Sequence, residues 1–437
     1  MHVPVPTRRL ALVAASLSLP TLVVPLRLPH GLLVVNGLLL LVAGVDWALA
    51  AAPTSLRVER DLPAVLPLGA EGSVTWRLVN AGRRRATVGL ADELAPSLGA
   101  VTRRARLSVA AGGAATAGTT IRPTRRGRFT PTDVTLRVEG PLGLVARQGV
   151  VAVPAVLRVH PRYRSKEQAE LRIQRARILE VGLRSAKGRG SGTEFEALRD
   201  YSVDDESRRI DWSATARSGR PIVRTYRAER NQSVICLLDL GRTMAARVED
   251  VPRVEHAMDA VMMLTHVAGR LGDRVGLLAF DREVRAAVPP RGGPHQLRRV
   301  TEAMYDLEPV LAESDHRRAF SAALTRFRRR SLVVVCTELA EQALDDTLLP
   351  ALPLLLRDNL VVIASVTDPA VERWAHDRPD DAGGAYRRAA AITALAERRA
   401  VVARLRGMGA TVVDAPPGAL APRLTDAYLK VKATGRL

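Results

Sequence analysis

Lysine is almost missing from this chain: among 65 Lys and Arg residues, only Lys166, Lys187, Lys430 and Lys432 are lysine. The formal net charge of +20 is therefore carried by arginine, and with the abundant alanine this skew is that of a GC-rich coding sequence. Aromatic residues make up only 3%, too few for the stacking platforms that nucleic-acid binders use, so no nucleic-acid partner is expected. Attraction to an anionic membrane face or an acidic protein needs no such platforms. The two cysteines, Cys236 and Cys336, lie in the apolar runs VICLLDL and LVVVCTEL. That excludes a disulfide framework or a CxxC metal site and fits buried thiols in a reducing compartment. HExxH, GxSxG and a phosphate loop are also missing, since GRGSG lacks a preceding strand and the lysine that reaches a phosphate. The histidines are scattered, and the acid pairs Asp204/Asp205 and Asp380/Asp381 have no base or oxyanion donor beside them. No catalysis is expected.

What is present begins with two apolar runs, 10–26 and 31–52, separated by Arg27, Leu28, Pro29 and His30. The second has the length to cross a hydrocarbon core of about 30 Å. The first is broken by Pro20 and Pro25 and lacks a small-residue cleavage site, so the pair predicts a transmembrane helical hairpin over residues 1–54. Arg8, Arg9, Arg57 and Arg60 flank its ends against Arg27 at its tip. This places a multi-pass protein in the cell membrane with most of the chain cytoplasmic. Asp46 and Trp47, near the exit of the second run, are expected to mark the membrane interface.

At 437 residues the chain has room for two or three domains. Residues 55–160 alternate in short runs broken by Gly, Pro and Asn, which predicts a β-sandwich. Residues 161–191 read as a linker helix ending in the hinge KGRGSG. From Ser233, strand-like runs alternate with helical ones, predicting an α/β doubly wound domain over 233–437. Its strands are expected at Val234–Asp239, Arg274–Phe280, Leu332–Thr337, Leu360–Val366 and Thr411–Asp414. Helices are expected at Val254–Leu271, His295–Leu307, His316–Arg328, Asp345–Arg357 and Tyr386–Met408. Met258 and Met262 share the apolar face of the first helix and are read as core fillers.

Between linker and sheet, residues 192–232 pack acids, arginines and aromatics without repetition. Glu194, Phe195, Arg199, Tyr201, Asp205, Arg208, Asp211, Trp212 and Arg217 are the candidate interaction residues. Arginines beside carboxylates form planar bidentate pairs. A closed Arg/Asp/Trp network fixing this segment against the C-terminal domain is therefore expected.

The segment resembles the hallmark of the bacterial membrane family called domain of unknown function fifty-eight, G-x-E-F-x-x-L-R-x-Y-x-P-G-D-x-x-R-x-I-D-W-x-A-x-A-R. Gly192, Leu198, Ile210, Ala214 and Ala216 also fall on that pattern, while Val203-Asp204 replaces its Pro-Gly. The middle segment is similar to that family too, at Arg60–Pro63, Asn80–Gly82, Arg126–Phe129 and Gly140–Leu144. The C-terminal order resembles a von Willebrand factor A-like domain. There a divalent cation sits on Asp-x-Ser-x-Ser, a Thr and a T-D-G turn, since a hard cation needs several oxygens. Here the matching positions read Asp239-Leu240-Gly241-Arg242-Thr243, the loop Glu313–Asp315 without a Thr, and Thr337-Glu338.

That resemblance implies a degenerate metal site of Asp239, Thr243, Asp315 and Glu338. Mg2+ or another divalent cation is the one cofactor candidate, and Arg242 is placed to supply the cation's charge instead. Family resemblance further implies a membrane-anchored protein-interaction or adaptor protein. Its implied partners are a MoxR-type AAA ATPase, a client protein and the bilayer, in protein assembly or envelope maintenance. Asp239→Ala is then expected to cost little stability. The other readings are a metal-dependent enzyme or metal-chelation subunit, and an envelope structural protein.

Overall fold

The computed structural model describes residues 3–23, 31–186, 194–202, 205, 207, 210–227, 232–340 and 344–434. The chain is multidomain and forms two compact units, Met1–His160 and Pro161–Leu437.

The first unit opens with a strand that the sequence reading missed, β1 (Val3–Pro6). Helices α1 (Arg8–Val23) and α2 (Gly31–Leu49) follow, and the stretch through α2 is the one that, among the described residues, is long and apolar enough to cross a membrane. Leu33, Leu38, Leu40 and Leu41 on α2 are all exposed. The expected tip between the helices, Arg27 to His30, lies outside the described residues.

The strands β2 (Leu56–Asp61), β3 (Val65–Pro67), β4 (Gly72–Asn80), β5 (Ala86–Asp92), β6 (Arg104–Val109) and β7 (Ala114–Ile121) come next. They are followed by β8 (Gly127–Phe129), β9 (Asp133–Glu139), β10 (Val145–Ala152) and β11 (Leu157–His160). They pair as β1-β10-β9-β5-β6, β2-β4-β7 and β3-β11-β8. Every second residue of β4, from Val74 through Trp76 to Leu78, is buried against Val88 and Leu90 of β5 and Val134, Leu136 and Val138 of β9. That period-two burial is why the alternating runs were legible as strands. Two of the motif residues tie the sheets: Asn80 donates to the Arg84 and Ala110 carbonyls and accepts from Gly82 N–H. Arg60 reaches Asp92 inside the core.

Asp46, expected to mark the membrane interface, is fully buried within the first unit. Its carboxylate accepts from the Leu142, Leu144 and Val145 amides at 2.7, 2.8 and 3.0 Å.

In the second unit, the helix expected within residues 161–191 forms as α3 (Lys166–Ala186), packed on that unit rather than free. Ala169 and Ile173 on it are buried in the core, and Arg172 holds Asp426 through two bonds of 2.8 and 3.0 Å. Asp259 accepts from the Arg164 and Ser165 amides just before it. The helix is thus docked on its own unit over its first half; the hinge glycines lie outside the described residues.

After the hallmark strands β12 (Glu194–Asp200) and β13 (Ile222–Arg227), which flank α4 (Trp212–Ser218), comes β14 (Ser233–Asp239). Then follow α5 (Arg242–Ala245), the short β15 (Arg247–Val248) and β16 (Val251–Pro252), and α6 (Arg253–Arg270). Next are β17 (Arg274–Phe280), β18 (Val284–Arg291), α7 (Gln296–Met304), α8 (His316–Arg326) and β19 (Leu332–Cys336). The chain continues through α9 (Leu349–Leu356), β20 (Leu360–Val366), α10 (Pro369–His376), α11 (Ala382–Gly407), β21 (Thr411–Ala415) and α12 (Leu420–Ala433). The sheet order is β18-β17-β14-β19-β20-β21, parallel except for the edge strand β18. Val234, Cys236 and Leu238 face α6 and α12, whereas Ile235 and Leu237 face α8 and α9. One strand therefore needs apolar residues at every position, which is how a sheet covered on both faces reads. Met258 and Met262 are core residues.

Candidate functional site

In an open α/β sheet whose order runs outward from a central pair, ligands meet the carboxyl ends of the strands at the point where the order reverses. Here that point lies between β14 and β19, with Asp239 closing one strand and Thr337-Glu338 following the other.

Asp239 is buried, and each of its oxygens is occupied. Oδ1 accepts from the Gly241 amide at 2.8 Å and from the Ser314 hydroxyl; Oδ2 accepts from Thr337 Oγ1 at 2.6 Å. Gly241 explains the departure from Asp-x-Ser: a Cβ there would collide with Ser314 Oγ, so the missing side chain makes room for that hydroxyl. Ser314, in a loop that offered no threonine, is the functional residue the sequence reading missed. Its signal was there, since a hydroxyl of either kind accepts and donates alike.

His316 lies against the same carboxylate, Nε2 at 3.8 Å from Asp239 Oδ2 and Nδ1 at 2.9 Å from Thr347 Oγ1. Phe280 and Phe320 pack edge-on against its ring. Burial pushes the imidazole below its ordinary pKa, outweighing the opposing pull of Asp239, Asp315 and Glu313.

The four expected metal ligands are not brought together. Asp315 is exposed and caps α8, accepting from Arg318 N–H at 2.8 Å. Thr243 is half-buried on α5. Glu338 is buried but turned to cations already in the protein: Arg398 Nη1 at 2.5 Å and Arg253 Nε at 3.1 Å, with Ser365 Oγ donating at 3.2 Å. Among the described residues no group of three or more His, Cys, Asp or Glu side chains is placed to hold a metal ion. The donor set around Asp239, one carboxylate and two neutral hydroxyls, does not fit the expected cation. Arg242 does not take its place either, since it pairs at the surface with Glu313 at 2.5 Å.

Arg398 of α11 is the second centre of this end of the sheet. It donates to both oxygens of Asp414 on β21 at 2.8 and 2.7 Å, to Glu338, and to Ser365 Oγ at 2.9 Å. Burial opposes its charge, but Asp414 and Glu338 more than compensate and raise its pKa. Beside it runs a groove of about 800 Å³ whose lining includes Arg253, Glu338, Asp345, Asp368, Glu397 and Arg398.

The hallmark segment is built from its own contacts. β12 and β13 pair antiparallel, and the connection carries α4. Arg199 donates to Asp205 through two bonds of 2.8 and 2.5 Å. Asp211 caps α4 through Ala214 N–H and accepts from Arg224 Nε at 2.8 Å, and that arginine holds its carboxyl below the usual range. Trp212 is 71% exposed and Tyr201 37%, so the expected Trp clamp onto the C-terminal domain is corrected to a local Arg/Asp frame displaying an aromatic. Arg217 donates to the Ser213 carbonyl. Backbone strand β12 contains Glu194 and Phe195; Arg208 lies outside the described residues.

An Asp211→Ala variant should speed amide exchange across residues 212–218 by removing the cap. Trp212→Ala should leave that exchange unchanged. Equal protection in both variants would refute the local frame.

Asp239→Ala, by contrast, should be costly, which reverses the expectation from sequence. It strips the acceptor from two buried hydroxyls and should destabilise by about 2–4 kcal/mol in urea unfolding.

The arrangement defines an open α/β domain whose switch point is closed by internal polar ties. Residues 197–374 match the family described as Protein of unknown function DUF58, so the hallmark resemblance is shown over that segment. Uncharacterized proteins of Mycobacterium bovis and of two Mycobacterium tuberculosis strains are 28% identical over 152 residues, 34% of this chain. The chain covers about half, 48%, of the length of these relatives.

Proposed function

We propose that this is a membrane-anchored adaptor whose second unit binds another protein through the carboxyl end of its sheet, without catalysis of its own. The observation that carries this reading is the closure of the switch point. Asp239 is consumed by Gly241, Ser314 and Thr337, and Glu338 by Arg253 and Arg398, while Arg242, Glu313, Asp315 and Arg318 remain exposed on the loops those ties hold. Rigid loops with an exposed charged rim suit recognition of a protein, because electrostatic complementarity sets partner choice and encounter rate. The strand order with one antiparallel edge supports a von Willebrand factor A-like domain. The exposed apolar α2 supports anchoring, with α1 completing a hairpin whose ends face the cytoplasm.

The partner we propose is a MoxR-type AAA ATPase acting on a client protein, which rests on family resemblance. Purification of the full-length chain from gently solubilised membranes, with and without ATP and magnesium, tests this. Nucleotide-dependent recovery of an AAA ATPase, lost on charge reversal of Arg242 and Arg318, is the expected result. Recovery of envelope proteins alone, unaffected by those changes, would overturn it.

Acid should loosen the second unit. Burial lowers the pKa of His256, His266 and His316, so the folded state binds fewer protons than the unfolded chain below the ordinary value of about 6.5. Stability is then fully present above that value and falls as pH drops through it toward 5. Asp259, raised by burial, acts with the opposite sign but only nearer the carboxylate range. Thermal unfolding between pH 7.5 and 5 should show a falling midpoint, blunted in His316→Asn; a flat profile would contradict it.

A further inference from the structure

We infer that the turn between β9 and β10, Gly140 to Leu144, is an element of the membrane interface, entering the bilayer surface at Pro141 and Leu142 beside the base of α2. This rests on the membrane-anchored reading above and goes beyond it, because it assigns a bilayer-contacting role to a loop of the β-sandwich.

Depth along α2 gives the argument. Its exposed apolar face does not stop at Leu41 but continues through Val45 to Leu49, at 49% and 48% exposure. A bilayer that covers that face must reach the level of Leu49, one helical turn beyond Asp46. Asp46 therefore lies below the surface of the membrane, where an uncompensated carboxylate is costly. The turn resolves that cost by aiming three amides at it, from Leu142, Leu144 and Val145. Gly140 is required for the approach, since a Cβ there would collide with the Asp46 carboxylate. To reach Asp46, the turn must itself be at that depth.

The base of α1 is fastened to the same turn. Thr7 Oγ1 donates to the Gly143 and Leu144 carbonyls at 2.6 and 2.9 Å, and β1 just before it pairs with β10. Leu144 and Val145 are buried with Ala43, with Leu10, Val13, Val42 and Trp47 packed around them, so the turn's inner side is sealed. Its outer side is apolar instead: Leu142 is 55% exposed and Pro141 is exposed beside it. Arg147 completes the arrangement, stacking 4.6 Å over Trp47 and donating to its carbonyl at 2.9 Å. An amphipathic Trp–Arg pair beside an apolar tip suits the headgroup region.

The test places a single environment-sensitive fluorophore on full-length protein in lipid nanodiscs. Leu142→Cys carries the label, with Pro141→Cys as a second site; Cys236 and Cys336 are fully buried and will not compete. Leu38→Cys on α2 is the lipid control. Val101→Cys is the aqueous control: it is 81% exposed, and strand register sets its loop at the opposite end of β5 and β9 from the turn. Position 142 should lose most of its emission to a nitroxide placed shallowly on the acyl chains and little to aqueous iodide. The proposal is overturned if position 142 behaves like position 101 while position 38 is quenched from lipid. If position 38 is also quenched by iodide alone, it is the membrane anchoring itself that fails.

Discussion

Arg60→Ala should destabilise the β-sandwich by about 3–5 kcal/mol, the cost of leaving one partner of a buried ion pair alone. Both side chains of the Arg60–Asp92 pair are completely buried. Arg60 donates to Asp92 through Nε and Nη2 at 2.9 and 2.5 Å, and through Nη1 to the Pro131 and Val153 carbonyls at 2.8 and 2.6 Å. Trp76 Nε1 donates to the same carboxylate at 2.6 Å. Removing the guanidinium therefore leaves the buried Asp92 carboxylate with Trp76 but without its cation, and takes a donor from the Pro131 and Val153 carbonyls. Arg60→Lys should recover only part of the loss, because an ammonium cannot span the fork. Guanidinium unfolding of the full chain with Trp47, Trp212 and Trp374 replaced by Phe, so that the buried Trp76 alone reports, is the measurement. A loss below about 1 kcal/mol for Arg60→Ala would mean that the pair is not dry, since exposed pairs contribute no more than that.

Arg398→Ala should have an effect of similar size, about 3–5 kcal/mol, on the second unit. The arginine neutralises Glu338 and Asp414, carboxylates delivered by the ends of different strands, and it also bonds Ser365 on β20. Without it, two acids with side-chain exposures of 6% and 19% lose the cation they share, with Arg253 remaining near Glu338. A double-mutant cycle with Glu338→Gln separates the terms. The paired variant should be less damaging than Arg398→Ala alone, because neutralising the acid removes the uncompensated charge. Strictly additive losses would show that Arg398 acts through packing rather than through Glu338. Loss of partner capture in Arg398→Ala would then trace to loosened loops rather than to a contact residue.

Much of the fold was legible because periodicity carries it. Arg274–Phe280 and Leu360–Val366 were read with their observed bounds, and His316 opens its helix as expected. The elements that went unread have weaker patterns. β18 is an antiparallel edge strand containing Pro289 and Pro290, tolerated there because an edge strand needs only half its amides. β1 has no apolar alternation and exists only because β10 pairs with it. α3 was read as a helix, but as a linker; its docking through the buried Ala169 and Ile173 depends on which unit it packs against, which its own sequence does not record.

The site was legible as a place but not as a chemistry. Asp239 and Glu338, read from resemblance as metal ligands, do lie at the carboxyl ends of the adjacent strands β14 and β19. Which way each carboxylate faces depends on residues distant in sequence: Ser314 is 75 positions from Asp239, and Arg398 is 60 from Glu338. Trp212 was read as a clamp for the same reason, because a residue type gives no direction.

The sequence by itself determined the long apolar helix, the alternating strands of the first unit, the doubly wound order of the second and the segment, residues 197–374, that matches the family described as Protein of unknown function DUF58. Those properties are local, fixed by residue spacing along the chain. Only the tertiary structure decided that Asp46 is capped by a sandwich turn, that Asp239 is tied by hydroxyls, and that Glu338 belongs to two arginines. The partner of a buried charge is whichever group the fold brings within about 3 Å, and no spacing in the sequence records that distance.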